Sequence, residues 1–194
     1  MDAAPRLATW DDLLALPEGE RGEIIDGVLV TPPRPLPEHA RVQLGLGRGI
    51  GGPFDEDDGR GGPGGWWILL EIDVRFSPHR IVQPDLAGWR RERLPSPWGV
   101  RPIEVVPDWV CEVVSARNAA HDRVVKRRLY AEHGVPYYWI VDPEERTLEA
   151  LRLDPETRTW SELGAYGDEG EARIEPFESV ALDLSRIFPP RGAP

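Results

Sequence analysis

The stretch Trp109-Val110-Cys111-Glu112-Val113-Val114 reads as a short strand at the centre of a sheet, apolar on both faces except for one acid. Apolar runs of this length belong to strands that are covered from both sides. An ionised carboxylate in such a place is costly unless it is paired or binds a cation. Glu112 is therefore a site residue or an acid at a solvated sheet end, and the pattern favours the first.

Downstream, residues 117–133 have helical character, ended by Gly134 in a left-handed position and by Pro136. Residues 137–141 form a further strand closed by Asp142-Pro143, residues 148–153 and 160–163 a hairpin, and residues 172–174 a last short strand. Upstream, residues 92–107 are a proline-containing connection. Residues 66–76 read as one long strand, with Trp66, Ile68, Leu70, Ile72 and Val74 on one face and Leu69, Glu71, Asp73 and Arg75 on the other. Residues 81–89 form a second strand, paired with it around Ser77-Pro78-His79.

The Gly-rich run 51–65 (GGPFDEDDGRGGPGG) reads as a surface loop, and its acids do not match a calcium-binding EF-hand. Residues 37–50 have roughly helical spacing, weakened by Gly45, Gly47 and Gly49. Asp26-Gly27 between two β-branched runs signals a tight hairpin. Thr9 caps a short helix that Pro17 and Gly19 end. The order is helix, hairpin, helix, strands, helix, strands, which predicts one α/β domain over 1–194 with a mixed sheet.

Composition narrows the function classes. With 194 residues and 40% apolar content, the chain is long and apolar enough to bury a core. No apolar run reaches membrane-spanning length, so no membrane partner is expected. The opening MDAAPRLATW is not a secretory signal, and Cys111 has no second cysteine to pair with. Cytoplasmic residence is the expectation. Thirty-four acids against 23 bases give a net charge of -11, which weighs against tight non-specific grip on nucleic-acid phosphates. Two local arginine clusters, Arg90, Arg91 and Arg93, and Arg123, Arg127 and Arg128, read equally as solvated charge or as phosphate contacts. Among the 23 bases only Lys126 is a lysine, a compact ammonium whose pKa is tunable as a guanidinium's is not.

Taken singly, the other polar candidates stay open. Asp85, in Val82-Gln83-Pro84-Asp85-Leu86, is an acid re-aimed at a strand entry or bulge, or an ordinary turn aspartate. By spacing alone Lys126 pairs with Asp122 four residues earlier, with Tyr130 one turn further on the same face. Glu23, in the first arm of the hairpin, passes as a solvated glutamate. His39, His79, His121 and His133 lack metal-binding spacing and read as structural or exposed, and Cys111 reads as core. Residues 45–49 do not match a phosphate loop, since the Gly-Lys-Ser/Thr ending is missing.

Five motifs in order join these residues: GEIIDG (22–27), DVRF with VQPDL (73–76 and 82–86), CEVVS (111–115), HDRVVKRRLY (121–130) and GVPYYWIVDP (134–143). Together they resemble the Uma-two family, bacterial proteins of the restriction-endonuclease-like PD-(D/E)XK superfamily. The resemblance runs from about residue 7 to about residue 188. It implies a mixed central sheet flanked by helices, an N-terminal hairpin and a magnesium- or manganese-dependent endonuclease site acting on DNA. Asp85 matches the aspartate of the family's Pro-Asp motif, Glu112 the acid of its central strand, and Glu23 the glutamate of its hairpin. The superfamily's lysine two positions after the strand acid is replaced here by Val114, and Lys126 matches the family's lysine on the next helix.

The resemblance implies that Asp85 and Glu112 hold the metal with the backbone carbonyl of Val113, with Glu23 completing the shell or binding a second ion. It also implies that Lys126 orients water or stabilises phosphate charge, supported by Tyr130. The chain departs from the family at Ser115-Ala116-Arg117-Asn118, where Ser-Pro-Ser-Thr is commoner, and at the Gly-rich segments of 45–65. An inactive nuclease fold serving as a binding module, and a nuclease for RNA or small nucleotides, stand as alternatives. A homodimer is expected by analogy with relatives that cut two strands.

Overall fold

The structure is a computed structural model, and it describes residues 6–56, 62–115 and 121–192. Along the chain lie α1 (Trp10–Leu14), β1 (Glu23–Ile25), β2 (Val28–Val30), α2 (Pro37–Asp55), β3 (Trp66–Leu70), β4 (Val74–Ser77), β5 (Arg80–Val82), β6 (Leu86–Arg90) and β7 (Trp109–Val113). A single π-helical turn, His121–Lys126, then runs directly into α3 (Arg127–His133). After it come β8 (Tyr137–Asp142), β9 (Thr147–Leu153), β10 (Trp160–Tyr166), β11 (Glu171–Ala172), β12 (Leu182–Asp183) and a 3-10 turn at Leu184–Arg186. Residues 57–61 of the Gly-rich run, 116–118 of the departure after β7, and 117–120 at the expected helix start lie outside the described residues.

A six-stranded mixed sheet in the order β10-β9-β8-β7-β6-β3 is the centre of the molecule, and β7 and β8 are its one parallel pair. The alternation along β7 divides the core in two. Trp109, Cys111 and Val113 face α2 and the C-terminal tail, packing with Leu46, Phe54, Phe177 and Phe188. Val110 and Val114 face the opposite way, toward Tyr130 and Leu129 of α3 and toward Val74 and Val82 of a smaller sheet. That sheet has four strands in the order β2-β1-β5-β4. By period two, Glu112 belongs to this second face, which makes it a buried acid rather than a solvated one.

The two long strands expected at 66–76 and 81–89 are each broken in the middle. β3 and β6 lie in the large sheet, whereas β4 and β5 lie in the small one, so the chain crosses between sheets twice. Glu71 makes the first crossing at φ 52, a left-handed value that costs a non-glycine residue roughly 1–2 kcal/mol. The turn in direction also swaps the faces: Trp66 and Ile68 join the α2 side, Val74 joins the α3 side, and Leu70 is exposed. Gln83-Pro84-Asp85 makes the second crossing, and the Glu71 amide donates to the Asp85 carbonyl where the two meet.

The α2 helix is longer than its spacing suggests, running through Gly51, Gly52 and Pro53 to Asp55. Burial of Val42, Leu46, Ile50 and Phe54 along one stripe overrides the weak propensity of its glycines. The Asp26-Gly27 hairpin, both residues at positive φ, and the left-handed Gly134 closing α3 are as expected. Among the described residues no helix is long and apolar enough to cross a membrane.

Two α2 glycines have opposite roles. A Cβ on Gly45 would stand 2.7 Å from the Cα of Ile187 and 2.9 Å from its carbonyl oxygen, whereas one on Gly47 meets nothing within 4 Å. In urea denaturation Gly45→Ala is expected to destabilise by about 1–3 kcal/mol, and Gly47→Ala to stabilise by up to about 1 kcal/mol. Equal effects of the two would contradict the packing of α2 against the tail.

Candidate functional site

Four segments meet on the floor of one cleft of about 630 Å³: β1 with Glu23, the second crossing with Asp85, β7 with Glu112, and the π turn with Asp122 and Lys126. The hairpin is held against α3 by Asp26, which pairs with Arg80 at 2.6 Å and Arg128 at 3.0 Å, while Arg80 also pairs with Glu132 at 2.6 Å. Each such exposed pair is weak alone; as a network they fix the approach of β1 to α3. The π turn matters for the same reason. Its wider winding brings residues four and five apart to one side, so that His121, Asp122 and Lys126 all line the cleft.

Lys126 is only 5% exposed and lies between two acids almost as deeply buried, Glu23 at 4% and Glu112 at 2%. Its Nζ is 2.9 Å from Glu23 Oε1, 3.0 Å from Glu112 Oε1 and 3.7 Å from Asp122 Oδ1. Burial alone would strip its proton, but Glu112, Glu23 and Asp122 outweigh burial and hold the ammonium well above its usual range. Burial would likewise raise Glu23, yet Lys126 and the backbone N–H of Gln83, at 2.8 Å, pull its carboxyl down to about 2.

Glu112 goes the other way. Burial raises its carboxyl well above the usual range, and repulsion from Asp85, Asp122 and Glu23 adds to the effect that Lys126 opposes. The Tyr130 hydroxyl donates to Glu112 Oε1 at 2.5 Å. Of the two acids on Lys126, Glu23 therefore keeps the charge and Glu112 takes a proton more readily.

Asp85 is oriented from three sides. The backbone N–H of Val113, next to Glu112, donates to its Oδ2 at 2.7 Å. His39 Nε2 lies 2.9 Å from its Oδ1, and the Gln43 amide donates to the same oxygen at 3.3 Å. Gln43 also reaches Glu71 at 3.2 Å, and Glu71 pairs with Arg21 at 2.5 Å. Burial lowers the His39 imidazole, but the Asp85 carboxylate more than compensates and raises it above its ordinary value.

These positions correct two readings made from spacing. Asp122 is a neighbour of Lys126, but the two acids far away in sequence are closer. His39 and His121 are cleft residues rather than structural or solvated ones, whereas His79, bonded to the Ala8 carbonyl, and His133, stacked on Phe76, are structural. His121 Nε2 is buried, makes no hydrogen bond and stands 3.7 Å from Glu23 Oε2. Both histidines were missed because their partners are distant along the chain; the signal within reach was His39 four residues before Gln43 on one helix face. Cys111 is fully buried in the core, as expected. The arginine clusters are largely engaged elsewhere: Arg90 and Arg91 lie over Trp66 and Trp67, Arg93 pairs with Asp108, and Arg123 with Glu149.

The donor set is one of hard oxygens. Among the described residues no three acids and histidines stand as a ready-made cation site. Magnesium does not require one, since it commonly binds one or two carboxylates and keeps several waters. Four carboxylates share this floor with one lysine, and although burial is the main cause of the upward shift of Glu112, repulsion from Asp85, Asp122 and Glu23 adds to it. A divalent cation between Asp85 and Glu112 would relieve that repulsion, so the residues fit one.

A mixed sheet whose central strand carries a buried acid, flanked by helices and by a hairpin that supplies another, defines a restriction-endonuclease-like α/β fold. A family model, Uma2, described as "Putative restriction endonuclease", matches residues 10–185, and the chain belongs to that family. The fold is also that of a putative nuclease belonging to DUF820 from Anabaena variabilis, solved as a crystal structure. The two share a TM-score of 0.65 and 21% identity over 93% of this chain and 99% of that one. At this identity the likeness establishes the fold and not the chemistry. Among curated proteins none matches the chain significantly.

Excess acid on the floor has a measurable cost. Burial raises Asp122 to about 6, with Asp85 and Glu23 adding to the shift against Lys126. A folded-state value above the unfolded one near 4 means that ionisation opposes folding between those two pH values and fully above the higher. Asp122→Asn is therefore expected to stabilise the protein by about 1–3 kcal/mol at pH 8 and to change little at pH 4. A loss of stability at pH 8 in chemical denaturation would contradict this charge balance.

Proposed function

We propose that this chain is a divalent-cation-dependent nuclease that hydrolyses phosphodiester bonds of DNA in the cleft between its six-stranded and four-stranded sheets. The observation that carries the reading is the gathering of Glu23, Asp85, Glu112 and Lys126 from four segments onto one cleft floor. The descriptions of the family as restriction endonucleases and of the DUF820 protein as a nuclease support it. Asp85 and Glu112 would be the donors for Mg²⁺ or Mn²⁺, with the Val113 backbone carbonyl and Glu23 as the further oxygens. Such an ion, when bound, supplies a Lewis acid at the phosphate and lowers the pKa of a coordinated water.

The chain's own residues do the rest. Lys126, held protonated by its acids, does not accept a proton from water; its role is to stabilise negative charge as it grows on the phosphate. Tyr130 holds Glu112 in place by its hydrogen bond, and the Val113 amide and His39 hold Asp85. A non-catalytic binding module on the same fold is the second reading, favoured by the net charge of -11.

Asp85→Asn and Glu112→Gln, which keep shape and remove charge, are each expected to lower Mg²⁺-dependent cleavage of plasmid DNA by at least about a hundredfold. Circular dichroism should match wild type in both. Wild-type turnover in either variant contradicts the assignment of roles. No cleavage by the wild type on a panel of DNA and RNA substrates favours the binding module.

A further inference from the structure

We infer that Arg34 is the phosphate anchor of the cleft mouth, gripping a backbone phosphate of the nucleic acid beside the one that enters the floor. The inference rests on the nuclease reading above and names a contact which that reading does not contain. Besides its two histidines, the cleft lining has three cationic residues among the described residues: Arg21, Arg34 and Lys126. Arg21 is committed to Glu71 and Lys126 to Glu23 and Glu112. Arg34 is exposed and, among the described residues, has neither an acid nor a hydrogen-bond partner.

Its setting is built to present it. Arg34 lies in Thr31-Pro32-Pro33-Arg34-Pro35-Leu36-Pro37, the wall that leads from the hairpin to α2. Each proline fixes its own φ, and each residue before a proline is held out of the helical region. Leu36 follows suit at φ -80 and ψ 163. A segment so restricted loses little further freedom when a ligand binds, which favours affinity. Asp142, Glu144 and Glu38 line the cleft as well, so among the described residues of the lining Arg34 is the one guanidinium left unengaged for a polyanion. Guanidinium takes phosphate oxygens in pairs through its planar fork, as ammonium does not.

The cleft volume is of small-ligand size, about 630 Å³. A nucleic-acid strand that places one phosphodiester at the floor carries further phosphates on either side, and Arg34, exposed in the cleft lining, is available to one of them. The sequence offers no hint of this role, because Arg34 stands alone among prolines while the conspicuous arginine clusters are spent within the fold.

The test measures binding of a fluorescein-labelled DNA duplex by fluorescence anisotropy as a function of salt, in an Asp85→Asn background chosen to suppress cleavage. Arg34→Gln should weaken binding by on the order of tenfold and reduce the slope of log affinity against log salt by about one. Arg34→Lys should recover part of the loss. Arg48→Gln removes the same charge from an exposed α2 position outside the cleft lining, and should leave the slope unchanged. Equal affinity and slope for Arg34→Gln and Arg48→Gln would overturn the inference and leave the nuclease reading standing. No binding by any of these chains, with no cleavage by the wild type, would overturn the nuclease reading and the inference together.

Discussion

The buried ammonium of Lys126 between Glu23 and Glu112 is the contact on which the rest of the site depends. It joins the hairpin, the central strand and the helix that packs on them, three elements that no strand pairing links directly. Removing one member of such a buried set leaves an uncompensated charge, which typically costs about 3–5 kcal/mol. Lys126 is thus part of the fold as well as of the cleft. Its replacement by alanine would disturb both. The neutral replacements of Asp85 and Glu112 separate chemistry from stability more cleanly.

The second constraint is the double crossing between sheets. Had residues 66–76 and 81–89 stayed in one sheet, as their alternation suggests, Asp85 would project from the middle of a flat ladder. Instead the chain turns at Glu71 and at Gln83-Pro84-Asp85, which opens the space between the sheets and brings Asp85 to the end of β6, against the Val113 amide. Strained backbone at Glu71 is tolerated because both oxygens of its side chain are engaged, one by Gln43 and the other by Arg21.

What could be read from sequence follows from the range of the interactions. Glu112 was visible because a single acid breaks an apolar run, and the hairpin and the end of α3 because Asp-Gly and Gly-Val-Pro act locally. The length of α2 was hidden, since its glycines argue against a helix and the stripe from Val42 to Phe54 declares itself only against the tail. The turn at Glu71 has no signal at all, for nothing about a glutamate announces positive φ. His39 and His121 face acids 46 and 98 positions away, counted from Asp85 and Glu23, so no local spacing reveals them. The family motifs joined Glu23, Asp85, Glu112 and Lys126, which residue patterns alone had left apart.

Electrostatics ties these parts to function. Four carboxylates and one lysine share the floor, Glu23 is firmly ionised, and Glu112 is pushed toward its neutral form. A fold selected for stability alone would not keep this arrangement; under the proposed function, a divalent cation would give it a purpose. The most direct measurement is calorimetric titration of the folded protein with Mg²⁺ and Mn²⁺. The account predicts saturable binding of a divalent ion to the wild type, lost in Glu112→Gln. A wild-type protein that binds neither ion would contradict it.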